Sequence, residues 1–126
     1  MALRHDITVD QGATYLEHIL ITRGGEPLDL VGGGYAARMQ VRKSYRKPDI
    51  IMTLSTENGL LPLHMDGVVG RVSIALLPAN TINTNIRDEF ADFIHDLEIY
   101  KTADPDTVYR VLQGTFTLNK NVTTLE

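Results

Sequence analysis

The chain has 126 residues, of which 43% are hydrophobic and 22% charged, with a formal net charge of −4. That length suffices for one domain, 1–126, with its own core, and the acidic balance gives no global pull toward nucleic acid. With no cysteine, disulfides and thiolate metal sites are excluded. No apolar run approaches the roughly 18 residues of a membrane span, and the opening Met-Ala-Leu-Arg-His-Asp lacks the apolar stretch of a secretory signal. Synthesis and folding in a cytoplasm, without a membrane partner, is the expectation.

Residues 5–9 predict a short strand, ended by Asp10-Gln11-Gly12. Residues 13–22 form a long β-rich run with an ambiguous inward side. Tyr15, Ile19 and Ile21 make one face and Leu16 and Leu20 the other, and the apolar excess near its end predicts cover on both faces there. Arg23-Gly-Gly-Glu-Pro27 is a turn, and Leu28-Asp-Leu leads into the triple glycine 32–34. Residues 35–42 alternate cleanly: Tyr35, Ala37, Met39 and Val41 oppose Ala36, Arg38, Gln40 and Arg42, the pattern of a half-exposed antiparallel strand. A basic loop follows through Pro48, a residue that cannot sit in a central strand.

Residues 50–55 predict the next strand, closed by Glu57-Asn58-Gly59, and 60–65 a short extended piece. In 69–77, Val72, Ile74 and Leu76 alternate against Arg71, Ser73 and Ala75. Pro78, with Ile82 and Ile86 four apart, predicts one short helix or helical turn. The last third is a hairpin of 92–100 and 108–118 around a polar segment holding Asp104-Pro105-Asp106. Leu97 and Ile99 alternate with Asp96 and Glu98, while Leu112, Phe116 and Leu118 share one parity. Gly114 falls on that core-facing parity, as expected at a bulge or where a neighbouring backbone comes close. Leu97 and Phe116 should share the core. The final residues, 121–126, are a polar tail. Seven or eight strands without a βαβ rhythm or internal repeat predict an all-β sandwich.

Few constellations could carry chemistry. The triple glycine lacks a following Lys-Ser/Thr and precedes a strand, so it predicts a tight crossing between sheets rather than a phosphate loop. His5, His18, His64 and His95 sit on separate segments with no i, i+4 pair, so no metal or other cofactor is expected. Satisfied, partly buried imidazoles are the plain expectation for His18 and His95. Asp88, Glu89, Asp92, Asp96 and Glu98 concentrate carboxylates without the ligand order of an EF-hand, which a solvated strand face explains. Arg42, Lys43, Arg46 and Lys47 surround Tyr45 in one basic loop. On an acidic protein that loop suits an acidic neighbour in an assembly better than nucleic acid. Asn121-Val-Thr is a chance sequon, and no Gly-x-Ser-x-Gly elbow is present.

Asp6-Ile-Thr-Val-Asp-Gln-Gly-Ala-Thr-Tyr15, Pro27-Leu-Asp-Leu, and Gly34-Tyr-Ala-Ala-Arg-Met-Gln-Val-Arg42 follow one another here. Leu54-Ser-Thr-Glu-Asn-Gly59, Gly70-Arg-Val-Ser-Ile74, His95-Asp-Leu-Glu-Ile99 and Gln113-Gly-Thr-Phe-Thr-Leu118 come after them. In that order the chain resembles the immunoglobulin-like tail, baseplate and collar proteins of tailed bacteriophages. The segment 80–87 is longer than the loop many relatives carry there. The resemblance implies an immunoglobulin-like antiparallel β-sandwich without enzymatic activity, present in many copies in a virion tail. Its implied partners are tail or baseplate proteins, tail fibres and further copies in a ring. Interface candidates are Arg42, Lys43, Arg46 and Lys47 on the basic side and Asp88, Glu89 and Asp92 on the acidic side. The alternative is a carbohydrate- or host-surface-binding module, for which Tyr45, Tyr100 and Tyr109 are the aromatic candidates.

Overall fold

The structure, a computed structural model, describes residues 2–47 and 49–121. Pro48 and the tail beyond Asn121 lie outside the described residues. The strands are β1 (Leu3–Arg4), β2 (Ile7–Asp10), β3 (Tyr15–Leu20), β4 (Thr22–Arg23), β5 (Glu26–Pro27), β6 (Tyr35–Arg42), β7 (Ile50–Ser55), β8 (Arg71–Leu76), β9 (Phe90–Lys101) and β10 (Asp104–Asn119). The protein is all-β and sandwich-like. One sheet has the order β1-β10-β9-β6-β7, with β2 continuing the line of β1 along β10; β3 pairs with β8 in the second, and β4 with β5 in a small hairpin. Residues 60–64 flank β8 on its other side through Leu63 opposite Val72 and bonds such as His64 N–H to Arg71 O (2.7 Å).

The core forms where the two main sheets face each other. Val72, Ile74 and Leu76 of β8 join Met39 and Val41 of β6, Leu97 and Ile99 of β9, and Phe116 and Leu118 of β10 in one buried cluster. The alternation that predicted β6 holds, as does that of β8. The long hairpin is the spine: Leu97 lies opposite Leu112, and Phe93 opposite Phe116. Leu97 and Phe116 are both buried in the shared cluster.

Several local expectations differ from what is observed. The hairpin turns at Thr102–Ala103, inside the expected polar segment, but its second strand starts before 108: Asp104 already pairs with Lys101, and the extra residues bulge out before Val108 meets Tyr100. Residues 13–22 are not one strand. The chain breaks at Ile21, whose N–H and carbonyl turn to Gly70 and Leu28, and Leu16 and Leu20 are 51% and 55% exposed instead of covered. The short helical turn exists as Pro78–Asn80, and Met65–Gly67 makes a second 3₁₀ turn; Ile82 and Ile86 lie in irregular chain beyond the first. The triple glycine is a tight link between β5 and β6, as expected. Its turn is held by Asp29, whose side chain and carbonyl accept from Gly32 N–H (2.8 Å) and Gly33 N–H (2.9 Å).

The sandwich is not wholly antiparallel. β1 and β2 run parallel to β10, with Leu3 opposite Leu112 and Ile7 opposite Phe116. Between them the chain crosses Gly114 so closely that a Cβ there would stand 2.7 Å from Asp6 Oδ1 and press on the His5 carbonyl. The close approach anticipated at Gly114 is therefore the N-terminal arm.

Candidate functional site

β10 has two sides, and β9 occupies one of them throughout. On the other, β1 covers Leu112 and Gln113 and β2 covers 116–119, while 104–111 have no second partner among the described residues. Across the gap, β3 pairs only with β8 among the described residues. Between these two open edges runs a groove of about 840 Å³. Val111 is an extra residue between the Arg110–Glu98 and Leu112–Leu97 pairs, so it reverses the side-chain parity above it. Tyr109, opposite Ile99, is thereby turned toward the core side, where it stays 45% exposed. Leu3 (72% exposed), Leu20 (55%), Tyr109 (45%) and Val108 (38%) line the groove. Arg23 and Arg110 also line it, the first in register with Glu26 and the second 3.4 Å from Asp96. An edge that pairs backbone and exposes apolar side chains together is a surface suited to another chain.

The seven charged interface candidates fall in two stretches at one end of the large sheet. Arg42, the last residue of β6, lies opposite Ile94, only two residues from Asp92. Opposite flanks, which a head-to-tail contact between these two stretches would need, are not what the topology provides. The basic loop is a tight turn: Ser44 N–H donates to Lys47 O (3.0 Å), Lys47 N–H to Ser44 Oγ (2.9 Å) and Lys43 N–H to Asp49 O (2.9 Å). Tyr45 at its tip is 82% exposed. Arg42 donates to Gln40 Oε1 at 2.6 Å. On the acidic stretch, Asp92 accepts from the Thr117 hydroxyl (2.6 Å), Glu89 accepts the Lys120 N–H on its carbonyl (2.8 Å), and Asp88 is exposed. The remaining carboxylates form a wet face. Arg38 bonds Glu98 at 3.0 Å and stacks 4.7 Å from the Tyr100 ring, which removes Tyr100 as a free aromatic surface. Such exposed pairs contribute at most about 1 kcal/mol each.

The histidines are used locally. His5 Nε2 lies 2.9 Å from both Glu17 carboxylate oxygens, and Tyr15 OH donates to Glu17 Oε1 at 3.0 Å. Burial first, and the Glu17 carboxylate second, push the Tyr15 phenol far above its ordinary value. His64 Nε2 accepts the Leu30 N–H (3.0 Å). His18, expected to be partly buried, is exposed, and its Nδ1 lies 2.7 Å from Ser73 Oγ. Ser73 is wholly buried, so that hydroxyl cannot reach a substrate, and a Ser–His pair alone lacks a nucleophile's access. His95 is buried; its Nε2–H donates to the His5 carbonyl at 2.6 Å, while its Nδ1 has no partner among the described residues. Burial holds its pKa below the usual imidazole value. Asp6 is held low chiefly by the Thr115 N–H (3.0 Å) that it accepts. Among the described residues, no three His, Asp or Glu side chains converge as metal ligands.

What fold and surface together define is an all-β, sandwich-like protein with one half-open edge. No protein-family profile matches the chain, and no curated protein matches it in sequence. Leu3, Leu20 and Val108 had no place among the sequence candidates. The bulge that exposes this region leaves one trace, the two adjacent apolar residues Val108-Tyr109 at the start of a strand otherwise read as alternating.

Proposed function

We propose that the chain is a structural component of a bacteriophage tail tip, baseplate or collar, present in many copies and holding neighbouring tail or fibre proteins. The observation that carries this is the half-open sandwich edge: the outer side of 104–111, without a second strand partner among the described residues, beside Leu3, Leu20 and Tyr109, a surface suited to another chain rather than to a small substrate. The ordered resemblance to phage tail and collar proteins supplies the setting. Virion tail is the corresponding location. Contacts of this kind can be individually weak, because a ring is held by many at once. The isolated protein is then a monomer or a weak oligomer.

The acidic stretch at 88–92 is too near the basic loop to be its natural mate in a neighbouring copy. The loop nonetheless keeps Lys43, Arg46 and Lys47 exposed and without an ion pair among the described residues, available to a partner. The double reversal Arg46→Glu, Lys47→Glu should leave the fold intact and reduce the copies per tail in purified particles, counted by quantitative mass spectrometry. Normal occupancy would remove the loop from the assembly, and absence of the protein from wild-type tails would remove the phage role itself.

A second reading, a carbohydrate- or host-surface-binding module, draws on Tyr109 in the groove. It lacks an aromatic neighbour in the groove lining other than the buried Tyr35, and Tyr45 stands at the far end of the sheet. A stacking cleft for sugars asks for more.

A further inference from the structure

We propose that the groove beside β10 receives the basic loop of a second copy of this chain, with Tyr45 as the inserted anchor. Position comes first. Arg42 pairs with Ile94 and Tyr109 with Ile99, five residues along β9, or roughly 17 Å. The loop continues from Arg42 away from the groove, so a chain cannot fill its own groove with its own loop. Loop and groove sit at opposite ends of the large sheet. Two such patches generate a heterologous, head-to-tail contact, which closes into a ring or runs on as a filament.

Charge and shape then favour this occupant over others. The loop brings Lys43, Arg46 and Lys47 around an aromatic side chain that is 82% exposed. Beside the groove, two residues before Val108, the hairpin tip presents Asp104 and Asp106, neither in an ion pair among the described residues. Of the groove's own cations, Arg110 has Asp96 at 3.4 Å, and the strand position opposite Arg23 is Glu26. An exposed tyrosine with cations on either side in sequence thus meets an apolar trough beside two carboxylates, of which Asp104 accepts the Thr107 hydroxyl (2.6 Å) and neither is in an ion pair among the described residues. Tyrosine is the kind of side chain that fills such a trough, apolar in its body and polar at its tip. The 88–92 stretch is a poorer occupant, since its carboxylates have Arg87 and Lys120 beside them. The inference rests on the multi-copy part of the function proposed above.

The test is self-association in solution, by sedimentation velocity on the whole chain from about 10 µM to about 1 mM, the range where one weak contact shows. Two variants at exposed positions each break one half of the contact: Tyr45→Ala in the loop and Leu20→Asn in the groove. Wild type should associate with rising concentration, less so at high salt. Each variant alone should associate at least about tenfold more weakly, with an unchanged melting temperature. Mixed together, Tyr45→Ala supplies an intact groove and Leu20→Asn an intact loop, so the mixture should form 1:1 complexes and nothing larger. A wild type that stays monomeric to about 1 mM overturns the proposal. So does a mixture that fails to pair, or a Tyr45→Ala variant that associates as wild type does. The particle count reads the phage role separately, because the chain could be held in a tail by other proteins while this contact fails.

Discussion

Gly114→Ala is the most direct probe of how the sandwich edge is built. The added methyl would lie 2.7 Å from Asp6 Oδ1 and 2.9 Å from the His5 carbonyl carbon, in addition to pressing on the His5 carbonyl oxygen. Two of those three neighbours are backbone and cannot rotate away, so the arm carrying β1 and β2 must move. Overpacking of this kind costs about 1–3 kcal/mol. Displacement also strains His5 N–H to Gln113 O (2.9 Å), Thr115 N–H to Asp6 Oδ1 (3.0 Å) and His95 Nε2–H to His5 O (2.6 Å), and losing one or two such bonds adds about 0.5–1.5 kcal/mol each. Alanine in a strand returns about 0.5–1 kcal/mol relative to glycine. The net expectation is a loss of about 2–3 kcal/mol. With a urea m-value of about 1–3 kcal/mol/M, the denaturation midpoint falls by roughly 0.7–3 M. Hydrogen exchange should locate the damage, with faster exchange at the His5 and Thr115 amides and none added in β6. A midpoint that holds or rises would mean that the arm does not press on Gly114, and the closure of this edge would need another explanation.

Leu97→Ala should cost about 2–5 kcal/mol, because Leu97 is fully buried at the centre of the hairpin; an unchanged chemical midpoint would take the hairpin out of the core. His95 gives a pH signature. Its pKa in the folded chain is below its ordinary 6.5, chiefly through burial, so the unfolded chain binds the proton more readily and stability falls as pH drops below about 6.5. His95→Gln keeps a donor for the His5 carbonyl but removes the titration, so stability between about pH 7 and 5 should be flatter than in wild type. Parallel pH profiles for the two proteins would show that His95 is not the group responsible.

The parts of the fold visible in the sequence are those set by local periodicity. β6, β8 and the 92–118 hairpin alternate because one face meets the other sheet, and that pattern survives in single residues. Gly114 was legible too, since a glycine on a core-facing parity has few other uses. What the sequence hid depends on residues far apart. Leu16 and Leu20 look like a second buried face, but they lie on the side of β3 turned away from Tyr15, Ile19 and the core, and they are 51% and 55% exposed. The parallel pairing of β1 and β2 with β10 joins residues about a hundred positions apart and carries no local mark. For the same reason the charged stretches at 42–47 and 88–92 looked separable. Pairing of Arg42 with Ile94, decided by how β6 folds against β9, puts them at one end.

The two halves of β10 show how one chain both closes and leaves open the same edge. Over 112–119 the N-terminal arm adds a parallel strand, places Ile7 and Val9 in the core and removes the free backbone groups. The arm can lie this close only because position 114 has no side chain. Over 104–111 no second strand pairs with β10 among the described residues, and the extra residue Val111 puts Tyr109 on the side of the sheet that bears Ile99. A sandwich that needed only to avoid aggregation would blunt this upper stretch with charge or proline along the strand. Here Asp104, Pro105 and Asp106 stand at the tip and Arg110 reaches Asp96 (3.4 Å), while Val108 and Tyr109 between them stay partly exposed. Apolar side chains along an outer edge without a second partner among the described residues are a surface suited to another chain. The occupant proposed for it, the Tyr45 loop of a second copy, would bring an aromatic anchor and positive charge to that edge.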